Sequence, residues 1–229
     1  MIENCAKYEN HTALAILFSA EALPAYERSK ATEAGEPPRF FVAGGPQPDT
    51  PARRQELLEE LLIAADHSPE EAKSGEIRYH ESGQPYAGLR ASAEQAAGSY
   101  PLSISHCSSF LAIALSARPE QRIGLDVESA GRNVHPALRR RISSTKARNE
   151  THHPEHQIPD LRLWTLKEAF LKMGGSGLRV PMREVEIWPE GALSAALSYF
   201  SARSTGHHAR LYSFQREGIM IAVSIEMDA

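Results

Sequence analysis

Apolar residues recur along the chain at two periods, and each period predicts a different element. Residues 12–19, 77–80, 102–105, 110–116 and 122–128 are short apolar or alternating runs that read as strands. Over residues 51–65 the spacing is helical, with Leu57, Leu58, Leu61 and Leu62 on an inner face and Glu56, Glu59 and Glu60 outside. Residues 31–51 carry Gly35, Pro37, Pro38, Gly44, Gly45, Pro46, Pro48 and Pro51, which predicts a loop without continuous secondary structure. The second half opens with a helical stretch near 136–147 and a histidine-rich loop. A helix over 161–173 follows, stopped by Gly174 and Gly175, and Pro181 closes the turn beyond it. Residues 185–188, 193–200, 209–214 and 219–225 then alternate as an antiparallel sheet would. Each half pairs helices with strands, so the fold class is α+β, and the turn at Arg118-Pro119-Glu120-Gln121 suggests a division into 1–118 and 119–229.

Charge is concentrated on one predicted helix and one predicted strand. At helical spacing Trp164, Glu168 and Lys172 form one stripe, while Leu163, Leu166, Phe170 and Met173 supply a side for the core. In the strand Gly124-Leu125-Asp126-Val127-Glu128, residues two apart point the same way, so Asp126 and Glu128 share a face. Two carboxylates on one face repel. A divalent cation between them relieves that repulsion, and Glu168 as a third carboxylate completes a set of hard oxygen ligands suited to Mg2+. Taken singly, each feature has an ordinary explanation. An Asp-x-Glu pair is common on exposed sheet faces, and Glu168 with Lys172 is a surface pair worth about 0.3–0.5 kcal/mol. Trp164 alone is a core anchor, and His106 alone a satisfied structural histidine.

What those readings leave unexplained is the order of the blocks. Gly83-Gln84-Pro85-Tyr86 is followed by Leu102-Ser103-Ile104-Ser105-His106 and then by Gly124-Leu125-Asp126-Val127-Glu128. About forty residues later comes Trp164-x-x-Lys167-Glu168-Ala169-x-x-Lys172-x-x-Gly175-x-Gly177-Leu178. In this order the blocks resemble the signature of the 4'-phosphopantetheinyl transferases, and the length fits the surfactin-synthetase-type branch best. The resemblance runs from about residue 75 to 190.

The resemblance implies two similar α+β lobes in a pseudo-two-fold arrangement with the active site between them, and a monomer. It implies transfer of the phosphopantetheine arm of coenzyme A to a serine of an apo acyl or peptidyl carrier protein, releasing adenosine 3',5'-bisphosphate. By the same resemblance Asp126, Glu128 and Glu168 are the Mg2+ ligands, and Lys172, assisted by Lys167, meets the pyrophosphate. Glu168, directly or through a metal-bound water, is also the candidate acceptor of the serine proton, with Asp126 and Lys172 completing the catalytic set. His106 contacts the 3'-phosphate, while Ser105, Gln84 and Pro85 hold the nucleotide. The chain departs from the family pattern in three places. Gln84 stands where lysine is common, with Arg90 as a substitute, and Cys107 stands where serine often follows the histidine. The N-terminal basic contacts do not align, leaving Arg28, Lys30, Arg53 and Arg54 as candidates, with Arg28 assigned to the nucleotide. Two other functions use the same residues: a metal-dependent nucleotide or pyrophosphate hydrolase, and a carrier-protein-binding module without catalysis.

Composition narrows the setting. At 229 residues, 41% hydrophobic and 24% charged, the chain is long enough for a substantial core and has an ordinary globular composition. A net charge of -4 argues against broad nucleic-acid binding. Arg139-Arg140-Arg141 reads as a solvated helix face, and that triplet or the loop at 143–148 is also a candidate to meet an acidic carrier helix. Cys5 and Cys107 make no disulfide framework, and His152, His153 and His156 read as solvated loop histidines rather than a zinc site. The apolar run at 13–18 is too short to span a bilayer, so no membrane or targeting segment is expected and the cytoplasm is the expected location.

Overall fold

The computed structural model describes residues 14–18, 40–46, 49–89, 98–108, 110–191, 193, 197–204 and 206–227. The chain divides into two units, Met1–Ser103 with Phe110–Gln121, and Ile104–Ser109 with Arg122–Ala229. Each has an antiparallel sheet and helices, so the α+β expectation holds.

In the first unit, strands β1 (Leu14–Phe18), β2 (Phe40–Pro46), β3 (Glu76–Tyr79), β4 (Pro85–Gly88), β5 (Ser99–Cys107) and β6 (Phe110–Ser116) run in the order β1-β2-β6-β5-β4-β3. The last residues of β5 belong to the second unit. Helix α1 (Pro51–Ala64) starts where Thr50 accepts the Arg53 N–H and Pro51 presets the first turn. Its leucines at 57, 58, 61 and 62 are buried as the spacing predicts, and it packs on β2 and β6. Helix α2 (Pro69–Ser74) opens with a capping box between Ser68 and Glu71.

Strand β2 corrects the predicted loop over 31–51. Phe40, Val42 and Ala43 are buried core residues, and β2 pairs with both β1 and β6. Gly44, which looks like a breaker, permits close packing instead: a Cβ there would lie 2.6 Å from the Phe110 ring. Strand β4 was not anticipated either. Pro85 occupies its first position, where a missing N–H is tolerated.

The second unit has strands β7 (Ile123–Ser129), β8 (Glu186–Pro189), β9 (Ser198–Ser204), β10 (His207–Arg216) and β11 (Ile219–Glu226) in the order β7-β11-β10-β9-β8. The helical stretch predicted near 136–147 is two short helices, α3 (Pro136–Ile142) and α4 (Thr145–Asn149). Ser143 ends the first, and Ser144 caps the second by accepting the Ala147 N–H at 3.1 Å. Of the loop histidines, His152 and His156 are exposed as expected, but His153 is not. His153 is only 4% exposed and caps a 3-10 turn, accepting the Glu155 N–H at its Nδ1, beside the Trp188 ring.

Helix α5 (Asp160–Met173) lies across β7, β11 and β10. Leu163, Leu166, Phe170 and Met173 enter the main apolar cluster with Val185, Ile187, Phe200 and Leu211. The helix ends with Gly175 at φ 68°, a left-handed position that glycine adopts without a Cβ clash. Its approach to β7 is set by Gly124. A Cβ there would fall 2.0 Å from the Ala169 carbonyl oxygen and 2.5 Å from the Met173 nitrogen, both backbone atoms that cannot swing aside. Gly124→Ala is therefore expected to destabilise the fold by about 1–3 kcal/mol or more, as overpacking does. Urea denaturation of the variant checks this, and an unchanged midpoint would contradict the contact.

Candidate active site

Gly124, Asp126 and Glu128 alternate onto the face of β7 that meets α5. Gly124 faces Ala169 and Met173, Asp126 meets Lys172, and Glu128 meets Trp164. As the strand advances, its partners recede along the helix, so the two elements run antiparallel. The predicted stripe Trp164, Glu168, Lys172 is thus the one that faces the strand carboxylates. These three are partly exposed, whereas every helix residue from Arg162 to Met173 outside the stripe is buried.

Lys172 donates to Asp126 Oδ1 at 2.7 Å and to Ser105 Oγ at 3.0 Å. Ser105 donates in turn to the same Asp126 oxygen at 3.0 Å and accepts the Val127 N–H at 3.3 Å. Asp126 Oδ2 is buried and has no hydrogen-bond donor among the described residues. Glu128 Oε1 accepts the Trp164 indole N–H at 3.0 Å and a hydrogen bond from Arg132, whose guanidinium lies over the indole.

Burial makes this cluster electrostatically costly. Asp126 is 3% exposed, and loss of water raises its carboxyl pKa against the pull of Lys172 and Ser105. Glu168 is pushed up to about 7, first by burial and then by the neighbouring Asp126 charge, with Lys172 opposing. A carboxyl that titrates near neutrality and abuts a second carboxylate is equipped to accept a proton.

The residues fit a divalent cation in kind. All three carboxylates are hard oxygen donors, and the orphaned Asp126 Oδ2 is the buried atom a cation would satisfy. Yet among the described residues no three His, Cys, Asp or Glu side chains are gathered into a metal-holding group. Asp126 Oδ1 is turned to Lys172, and Glu128 Oε1 to Arg132 and Trp164.

Other expected site residues fall elsewhere. Lys167, expected to assist at the pyrophosphate, is a correction. It is wholly buried, donates to the carbonyls of Ile142 (2.6 Å), Met182 (3.2 Å) and Val185 (2.8 Å), and pairs with Glu155 at 3.1 Å. An ammonium with its protons on three carbonyls has none left for a phosphate, and burial lowers its pKa to about 8. Ser105 is likewise buried, holding Asp126 and Lys172. His106 is exposed and lines a pocket of about 540 Å3 with Cys107, Ser108, Glu128, Ser129 and Arg132. Gln84 and Pro85 belong to the first unit, where the Gln84 carbonyl accepts the His80 N–H at 2.9 Å. Arg53 pairs with Glu56, and Arg54 with Asp49. Arg28, Lys30 and Arg90 lie outside the described residues. Gly124 and Arg132 were missed. A glycine inside an apolar strand signals close approach, whereas Arg132 follows Glu128 through a turn that has no periodic signature.

Residues 122–223, which hold Asp126, Glu128, Glu168 and Lys172, match the 4'-phosphopantetheinyl transferase superfamily. A 4'-phosphopantetheinyl transferase of Bacillus subtilis is 31% identical over 81 residues, 34% of this chain and 35% of that protein. The match therefore spans about a third of that curated relative's length.

The raised Glu168 pKa has a sign that can be checked. The fold binds the Glu168 proton more tightly than the unfolded chain does. The stability this adds is complete below the unfolded carboxylate range and is lost as pH rises through about 7. With chelator present, the wild type is expected to lose stability between about pH 5 and pH 8 relative to Glu168→Gln. Urea midpoints across that range measure the difference, and parallel curves would contradict it.

Proposed function

We propose that the protein transfers the 4'-phosphopantetheine group of coenzyme A to a serine of an apo carrier protein, with Mg2+, releasing adenosine 3',5'-bisphosphate. The observation that carries this reading is the apposition of Glu168 and Lys172 to the buried Asp126, within the stretch that matches the superfamily. Two α+β units in one chain support the surfactin-synthetase-type branch and a monomer. Among the described residues no helix is long and apolar enough to cross a membrane.

The serine oxygen attacks the phosphorus that bears the pantetheine arm, and the bond to the adenosine-side phosphate oxygen breaks. Glu168, titrating near neutrality, accepts the serine proton. Lys172 is 32% exposed and carries a positive charge to the edge of the carboxylate cluster, where it stabilises the charge that builds on the leaving phosphate. Ser105 holds Lys172 and Asp126 in register from behind. Asp126, Glu128 and Glu168 are the residues that hold Mg2+, which when bound neutralises pyrophosphate charge. His106, exposed at its pocket, is assigned to the 3'-phosphate.

A second surface of this unit fits the carrier. Arg140, Arg141, Arg148 and Arg183 are exposed around a groove of about 570 Å3 with Leu138 and Met182 in its lining. Basic edges over an apolar floor complement an amphipathic helix with acidic flanks. Arg139 is not part of this surface, because its guanidinium binds the Ile158 and Glu155 carbonyls and Asp160.

Intact mass of an apo acyl carrier protein incubated with enzyme, coenzyme A and Mg2+ tests the reaction. A gain of roughly 340 Da is expected, with Glu168→Ala slower by about 100-fold or more, the scale of a lost acid–base group. Several apo carriers left unmodified while coenzyme A is consumed would favour a hydrolase, and no change in either would favour a binding module. Arg140→Glu is expected to raise the carrier KM about tenfold and leave the coenzyme A KM in place. An unchanged carrier KM would remove the groove from carrier docking.

A further inference from the structure

Glu128 is sealed on most sides, at 12% side-chain exposure, while its partner Arg132 is 45% exposed. Arg132 stands just beyond β7 in a turn where its N–H donates to the Ser129 carbonyl at 2.9 Å, and Ala130 donates to Gly218 at 2.7 Å. The turn folds the side chain back over Trp164, with the guanidinium carbon 5.6 Å from the ring centroid, and onto Glu128. Ring and carboxylate therefore hold one cation together, and the indole N–H binds the same carboxylate oxygen. Lys172 does for Asp126 what Arg132 does for Glu128. Without added metal, the protein balances two of its three clustered carboxylates with its own side chains.

A divalent cation that draws on Glu128 meets a carboxylate whose Oε1 already accepts two hydrogen bonds, and at either oxygen it competes with the Arg132 guanidinium for the same negative charge. Arg132 is the partner able to leave, because it is open to water and tethered only through its turn, whereas Trp164 is packed against the core cluster.

We propose that Arg132 is an exchangeable counter-ion for Glu128, competing with a divalent cation for that carboxylate and so holding the metal affinity of the site below what its three carboxylates would otherwise give. This rests on the proposed function only in taking Asp126, Glu128 and Glu168 as the ligand set. Arg132 acts through Glu128 and is a positioning residue, not a catalytic one.

The test is calorimetric titration of Mn2+ into the purified full chain, comparing wild type, Arg132→Gln and Arg132→Lys. Arg132→Gln is expected to bind Mn2+ about fivefold more tightly, roughly what a half-exposed ion pair is worth. Arg132→Lys restores a cation and should lie between the two. Mg2+ should also change tryptophan emission in the wild type as the guanidinium leaves the indole, and the change should disappear in Trp164→Phe. Equal or weaker affinity in Arg132→Gln overturns the proposal, as does an absence of Mn2+ binding in all three proteins. No carrier or coenzyme A enters the titration, so failed phosphopantetheine transfer and failed counter-ion exchange remain separate results.

Discussion

The contact between α5 and β7 governs what the second unit can do. A helix approaches a strand this closely only where the strand offers no side chain, and Gly124 supplies that gap against the backbone of Ala169 and Met173. Once it is made, the alternation of the strand and the spacing of the helix leave little freedom. Asp126 must face Lys172 and Glu128 must face Trp164, because both lie one or two steps along elements already locked together. A larger residue at 124 would push the helix outward and separate the charged groups from both sides at once.

Bringing those groups together concentrates negative charge where little water reaches. Three relieving devices are visible, each at a different carboxylate. Lys172 and Ser105 compensate Asp126, Arg132 and Trp164 compensate Glu128, and Glu168 is left to hold a proton up to about pH 7. A site balanced in this way is poised for exchange: a proton and two basic side chains neutralise its three carboxylates, and the proposed cation would compete with them. The two basic side chains differ in what they face, since Lys172 is anchored on the helix and Arg132 on a turn open to solvent.

The opposite side of α5 uses charge for a different end. Lys167, next to Glu168 in sequence, points into the core and draws together the end of α3, the start of β8 and the turn at Met182 through their carbonyls. Glu155 balances it and also accepts the Ser144 N–H, so one buried ion pair ties together the stretches at 142–144, 155 and 182–185. Ile142 and Met182, two of the residues tied this way, line the basic groove. Such a pair adds little net stability, since desolvation offsets its attraction, but removing either partner strands a charge in the core. Adjacent residues of one motif thus divide the work, with Glu168 in the carboxylate cluster against β7 and Lys167 holding the scaffold.

Much of this was legible in the chain itself. Periodicity identified α1, α5 and most strands, because the core faces of those elements are continuous and apolar. It also placed Trp164, Glu168 and Lys172 on one stripe and Asp126 with Glu128 on one face, since both facts follow from backbone geometry alone. Periodicity failed where a local signal was overruled by a distant neighbour. Gly44 reads as a breaker until the Phe110 ring fills the space above it, and Lys167 reads as a charged helix residue until three carbonyls and Glu155 surround it. The identities and order of the charged residues were therefore determined by the sequence. Which of them gather into the carboxylate cluster, which balance each other and which are buried as struts was decided only by tertiary structure, because those placements depend on partners many residues away and on the loss of water that packing brings.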